Sequence, residues 1–194
     1  WASACRAAFR CAWLSLELNI LKALPIPYGA VFLLRTDFCS LNYMAFIGSL
    51  DQGTSSTRFM IFDVTGKVIG QHQLEHRQIL PQAGWVEHDA QEIWERTQEV
   101  IAGALKQANI LGSDLAAIGI TNQRETTVAW DAVTGLPLHN AIVWQDTRTA
   151  SYLDGFSEKI KSSITHKSGL AIAPYFSASK MNWLLNKIPN RDEL

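Results

Sequence analysis

The sequence predicts an α/β domain built in layers, and three observations predict it. After Met44, two short apolar runs and a third, loosely alternating one follow one another with only a loop or a turn between them. A long stretch with helical periodicity comes next, and further short apolar runs then alternate with helical patterns. Strands first, then strand and helix in alternation, is the order of an α/β layered fold.

The elements can be justified in turn. Met44–Leu50 is apolar and closes on Asp51, as a buried strand does. Arg58–Val64 is apolar and β-prone, Thr65-Gly66 supplies a turn, and Lys67–His76 alternates loosely, so the two runs read as a hairpin. The loop Gly53–Thr57 joins the first two strands. Asp89 is a suitable N-cap, and Glu92 follows at capping-box spacing. Ile93, Thr97, Val100, Ile101, Ala104, Leu105 and Ala108 then recur at helical intervals, and Gly112 is expected to end the helix. Ala116–Thr121 and Thr126–Asp131 read as short strands, Thr134-Gly135 as a turn, and Ala141–Trp144 as another apolar run. Helical patterns resume over Thr149–Ser162 and Ser177–Ile188.

Bulk properties bound the function. The chain has 194 residues, 47% of them hydrophobic, and a net charge of −1. A chain of this size can bury roughly 70% of its unfolded surface, enough for a real core. No basic run exists, which argues against nucleic acid as a partner. Residues 1–43 differ from the rest: they begin with Trp1, hold Cys5, Cys11 and Cys39, and show no sustained period. Their longest uncharged stretch, Ala23 to Leu34, contains Pro25 and Pro27 and falls short of the ~20 residues of a membrane helix. Glu17 and Lys22 interrupt the apolar part of any signal peptide. Residues 1–43 are therefore expected to be an extension outside the native fold, with Met44 as the natural start and 44–194 as the domain. Three cysteines without paired or metal-binding spacing make a reducing cytosol the simplest compartment.

Three polar clusters stand at strand ends. The first is Asp51-Gln52-Gly53-Thr54-Ser55-Ser56-Thr57-Arg58. A strand delivers a carboxylate, a glycine allows a tight turn whose N–H groups can face an anion, hydroxyls follow, and Arg58 adds a positive fork. Asp51 cannot attract phosphate, but it suits Mg²⁺, held through water. The plain alternative is a polar turn. The second cluster, Gly119 to Thr127, places Arg124 and Glu125 after a strand end, where donors and acceptors together suit a small molecule rich in hydroxyls. A solvated surface loop is the alternative there. The third, Asn140 to Arg148, puts Trp144 where apolar gives way to polar, either as core or against the carbon face of a polyol. Tyr175, in Pro174-Tyr175-Phe176, reaches a site or pins a loop. His72, His76, His88, His139 and His166 show no ligand spacing and are expected on the surface or in strands, while Trp85 and Trp94 read as packing.

These residues also carry a resemblance. Ser49 to Arg58, Gly84-Trp85-Val86-Glu87-His88-Asp89, Gly119 to Thr127, Asn140 to Thr149 and Pro174-Tyr175-Phe176-Ser177 resemble glycerol kinases, a branch of the carbohydrate kinases within the actin-like ATPases. The resemblance runs from about Met44 to the end and touches none of residues 1–43. It implies an actin-like, ribonuclease-H-like ATPase domain with a mixed sheet flanked by helices, incomplete at its C-terminus. It implies ATP-dependent phosphorylation of glycerol to sn-glycerol 3-phosphate in the cytoplasm, with no membrane partner and with homo-oligomeric full-length relatives. By the same resemblance, Asp51 helps place Mg²⁺; Thr54, Ser55, Ser56 and Arg58 contact ATP phosphates; Arg124, Glu125 and Tyr175 hydrogen-bond glycerol; and Trp144 packs on its carbons. The family's catalytic base, an aspartate, and its adenine pocket belong to later sequence, so this chain alone is expected to be inactive. Ala173 and Ala178-Ser179 depart from the family's usual residues. Another sugar or polyol kinase, or an inactive glycerol-binding fragment, are the alternatives.

Overall fold

The computed structural model describes residues 46–188 and the backbone of residues 31–34. The chain divides into two units, 1–30 and 31–194, and every described residue lies in the second. A five-stranded sheet runs in the order β1 (Val31–Leu34), β6 (Leu115–Thr121), β2 (Phe46–Gln52), β3 (Ser56–Phe62) and β4 (Val68–Glu75). The pairs β2–β3 and β3–β4 are antiparallel, as the hairpin signals predict, while β2 and β6 are parallel. The parallel step needs a crossover, which helix α1 (Ala90–Ala108) supplies. A mixed sheet with flanking helices is the expected fold class. β1, drawn from the stretch that the sequence sets apart, pairs antiparallel with β6 from Val31 opposite Ile120 to Leu34 opposite Ala117.

Alternation along β3 decides which face carries the core. Thr57, Phe59 and Ile61 are buried on one side, while Ser56, Arg58 and Met60 point to the other. The buried side meets α1, so Leu50, Phe59, Ile61, Val100, Ala104 and Leu115 form one cluster. Each large apolar side chain so buried contributes roughly 1.5–3 kcal/mol. Two glycines let the layers approach: a Cβ at Gly70 would lie 2.5 Å from the Ala104 carbonyl oxygen, and one at Gly103 would lie 2.6 Å from the His72 ring.

α1 starts as expected, with the Asp89 carboxylate accepting from the N–H groups of Gln91 (2.9 Å) and Glu92 (3.4 Å). The Glu92 carboxylate instead accepts from the Arg77 N–H at 3.3 Å, so it ties the helix to the chain leaving β4. The helix ends before Gly112. Asn109 takes the left-handed conformation (φ 54°) and caps it, since Asn tolerates that region. Gly112–Asp114 is a separate 3₁₀ turn, with the Asp114 carboxylate accepting from Leu111 N–H.

A second layer is smaller. β5 (Glu87–His88) pairs with β7 (Ala141–Ile142), and single bridges add Ile79 and Thr127. The strand expected over Thr126–Asp131 is reduced to bridges at Thr127 and Trp130. Beyond Thr127 its partners among the described residues are Leu136, Pro137 and Leu138, just across the local turn, and Val128 and Trp130 stay exposed. The helical pattern at 149–162 splits into α2 (Ala150–Asp154) and α3 (Glu158–Ser168), with Ser157 capping the second through Ile160 N–H. α4 (Ser177–Lys187) follows. Among the described residues no helix is long and apolar enough to cross a membrane.

Candidate functional site

The register of the first hairpin sets Asp51 directly opposite Arg58, on the face away from the α1 core. Arg58 Nη2 donates to Asp51 Oδ2 at 3.0 Å, with both side chains about two-fifths exposed. The loop between them is held through its carbonyls. Gly53 O accepts from Gln123 Nε2 (2.8 Å), Thr54 O from His76 Nε2 (2.9 Å) and Gln78 Nε2 (3.0 Å), Ser55 O from His76 N–H (3.2 Å) and Ser56 O from Gly53 N–H (3.0 Å). No hydrogen bond among the described residues engages the backbone N–H of Thr54 or Ser55. Carbonyls turned inward and amides left over are the makings of an anion-binding nest. The Ser56 hydroxyl accepts from Gln73 Nε2 at 2.9 Å, and Ser55 is exposed.

The second and third clusters converge on this loop. Gln123 Nε2, bonded to Gly53 O, ties the 121–125 segment to it. Trp144 Nε1 donates to Thr54 Oγ1 at 3.0 Å, and Trp144 N–H donates to Thr126 Oγ1 at 3.2 Å. Tyr175 meets Trp144 edge to face, with ring centroids 5.8 Å apart. Glu125 sits at φ 67°, a left-handed conformation that costs a non-glycine residue about 1 kcal/mol or more. Its Oε2 accepts from both the N–H (2.8 Å) and the hydroxyl (2.6 Å) of Ser177, the first residue of α4. Those bonds, led by the Ser177 hydroxyl, hold its carboxyl below the usual carboxylate range. Arg124 beside it is exposed. Thr54, Trp144 and Tyr175 thus adjoin, and Glu125 orders the turn after Tyr175.

Several supporting groups were not singled out by the sequence. The Arg148 side chain is fully buried and donates to Asp146 Oδ1 (2.9 Å), Asp146 Oδ2 (2.8 Å) and Glu87 Oε1 (2.8 Å). Its guanidinium lies 3.8 Å from the Trp85 ring centroid and 4.6 Å from that of Trp183. Asp146 Oδ2 also accepts from Val86 N–H at 2.7 Å, so the ion triad fixes the turn that carries Trp144. Lys180 is fully buried too, and its Nζ donates to the Tyr175 carbonyl; burial lowers its pKa, while Glu125 and Asp146 oppose that. His88 lies in strand β5, one of the two placements expected, and is buried; His76, just after β4, is buried as well, whereas Trp94, read as packing, is 56% exposed. A largely apolar cavity of about 420 Å³ lies beyond Glu125, lined by Tyr152, Phe156, Ile164, Ile172 and Phe176. Arg124, Trp144 and Tyr175 do not line it.

Comparison with known proteins decides the family. The pattern of the N-terminal domain of the FGGY family of carbohydrate kinases matches residues 46–193. The chain belongs to the FGGY carbohydrate kinases. It is 57% identical over 144 residues to Glycerol kinase 1 of Streptomyces coelicolor, covering 74% of this chain and 28% of that protein. It is 52% identical over 153 residues to the glycerol kinase of Brucella anthropi, covering 76% of this chain and 30% of that protein. Among solved structures, the Plasmodium falciparum glycerol kinase with ADP superposes with a TM-score of 0.70 at 36% identity, over 77% of this chain and 30% of that one. The gluconate kinase of Lactobacillus acidophilus superposes with a TM-score of 0.68 at 25% identity, over 78% and 30%. The chain therefore spans under a third of the length of these relatives, and what it matches is the family's N-terminal domain.

Proposed function

We propose that this chain is the phosphate-binding and polyol-binding part of a kinase that transfers the γ-phosphoryl group of ATP to glycerol. The observation that carries the reading is the Asp51–Arg58 loop, whose carbonyls are tied inward beside an acid–guanidinium pair, joined directly to Trp144 through Thr54. The identity of 52–57% to named glycerol kinases supports glycerol over other acceptors.

In this reading the amides of Thr54 and Ser55, with the hydroxyls of Thr54, Ser55 and Ser56, bind phosphate oxygens, and Arg58 offsets charge that spreads over them in the loose transition state. Asp51 fits a magnesium ion. Its Oδ2 is taken by Arg58, the side chain remains partly exposed, and Mg²⁺ is usually held by one or two carboxylates together with water and substrate phosphates. Among the described residues no group of three or more His, Cys, Asp or Glu would hold a metal by itself, which accords with that shared ligation. Bound there, the ion would neutralise phosphate charge. Arg124, Glu125 and Tyr175 hydrogen-bond the glycerol hydroxyls, and the Trp144 indole covers its carbons. The proton acceptor and the adenine pocket are proposed to come from the remainder of the protein. Residues 1–43 are proposed to be an extension to the family domain, from which Val31–Leu34 add an edge strand beside β6.

The test is a substrate panel on the full-length protein. ATP-dependent phosphate transfer should favour glycerol over xylulose and gluconate, and the 194-residue chain alone should transfer none. A preference for a sugar acid or ketose would replace glycerol with the substrate found.

A further inference from the structure

Beneath the loop, two buried histidines form a hydrogen-bonded chain whose polarity can be worked out from its ends. His76 Nε2 lies 2.9 Å from the Thr54 carbonyl, which only accepts, so Nε2 carries the proton. Gln78 Nε2 donates to the same carbonyl at 3.0 Å, which turns Gln78 Oε1 toward His88 Nε2 at 2.7 Å. His88 Nε2 must therefore donate, leaving Nδ1 as an acceptor. Gln123 Nε2 stands 3.4 Å from that Nδ1 and 2.8 Å from Gly53 O. Gln123 Oε1 in turn accepts from Thr126 Oγ1 at 3.1 Å. The two rings meet edge to face with centroids 4.6 Å apart, and His76 Nδ1 is buried without a partner among the described residues.

We propose that His76 and His88 are positioning residues for the Asp51–Arg58 loop. Held as neutral Nε2–H tautomers, they act with Gln78 and Gln123 to anchor the carbonyls of Gly53 and Thr54, which leaves the Thr54 and Ser55 amides available to an anion. The purpose so assigned rests on the phosphate reading of the loop; the anchoring itself does not. A second proton on His88 would set Nδ1–H against the amide of Gln123, two donors face to face, and a second proton on His76 would be buried without an acceptor. Glu92 and Arg96 of α1 are the charged groups that face His76, and their effects on it oppose each other. Burial lowers the pKa of both rings, in accord with neutral forms.

The experiment is NMR on the chain with two kinds of substitution. Long-range ¹H–¹⁵N spectra near pH 7.5 should show Nε2–H on both rings. Gln78→Leu alters an exposed residue, so the fold is retained, and His76→Leu removes the second donor to Thr54 O. Both should shift the backbone resonances of 53–56 without any anion present, and each should weaken binding of inorganic tripolyphosphate up to about tenfold, the upper end of the worth of one hydrogen bond. His76→Gln, whose side-chain amide reaches the same carbonyl, should restore both. An Nδ1–H tautomer on either ring, or loop resonances unchanged in Gln78→Leu, would overturn the proposal. If tripolyphosphate moves no loop amide in the unaltered chain, the phosphate reading fails, and the anion-free spectra still decide the anchoring.

Discussion

The indole N–H of Trp144 is bonded to the hydroxyl of Thr54 at 3.0 Å, across a sequence separation of 90 residues. The proposed polyol contact and the proposed phosphate contact are thus one hydrogen-bonded unit, and each holds the other in place. Thr54→Val and Trp144→Phe should each lower stability by about 0.5–1.5 kcal/mol beyond the change in packing. The double variant should show a coupling of about 1 kcal/mol in urea unfolding. Additive losses would mean that the bond has no weight in solution.

Glu125 is ionised at neutral pH, since the Ser177 bonds keep its carboxyl below the ordinary range. Glu125→Gln keeps an oxygen for Ser177 but removes the charge. A site built around hydroxyl hydrogen bonds loses much when one partner changes. In the full-length protein the KM for glycerol should rise by about tenfold or more, while the KM for ATP changes little. Equal rises for both substrates would assign Glu125 to folding of the α4 turn instead.

His88 supplies the pH dependence. Burial, with a smaller effect from His76, lowers its pKa from 6.5 to about 4. Between those values the unfolded chain binds the proton and the folded chain does not, so stability is full above 6.5 and falls as pH drops toward 4. His76 is shifted in the same direction, also by burial, and adds to the slope. Urea midpoints measured across this range should decline toward acid, and His88→Gln should flatten the decline.

Arg148 is the structural counterpart. Its guanidinium is fully buried between two indoles and satisfies Glu87 and Asp146. Removing one partner of such a buried set costs about 3–5 kcal/mol, because the remaining charges are left uncompensated. Arg148→Met should unfold the domain at a clearly lower denaturant concentration. Arg148→Lys should recover little, since an ammonium cannot reproduce the planar fork.

Short-range features were legible in the sequence, and long-range burial was not. The β2–β3–β4 meander and the Asp89 cap follow from local periodicity and capping chemistry. The end of α1 was misplaced because Asn109 caps it three residues before the glycine that usually does so. Nothing local marks His76 and His88 as buried, because β4 and β5 bring them together only in the folded chain. The same holds for Arg148, whose two indoles come from segments on either side of it. Within the candidate site, residue types and strand-end position pointed to Asp51–Arg58, while for Arg124, Glu125, Trp144 and Tyr175 they left a surface loop, core packing or a loop pin open, and the family resemblance carried the site reading. The inward-tied carbonyls and the strained φ of Glu125 emerge only from coordinates.

Arg58 is the charge proposed to meet the nucleotide phosphates, and the phosphate-loop proposal stands most directly on it. Arg58 is exposed and, among the described residues, its ion pair is with Asp51, so its removal should leave the fold intact. The decisive measurement is kcat/KM for ATP-dependent glycerol phosphorylation by full-length protein carrying Arg58→Ala, with the melting temperature recorded alongside. Loss of a preorganised group at the transferring phosphoryl predicts a fall of about 100-fold or more at an unchanged melting temperature. Activity equal to that of the unaltered protein would contradict the phosphate-loop assignment.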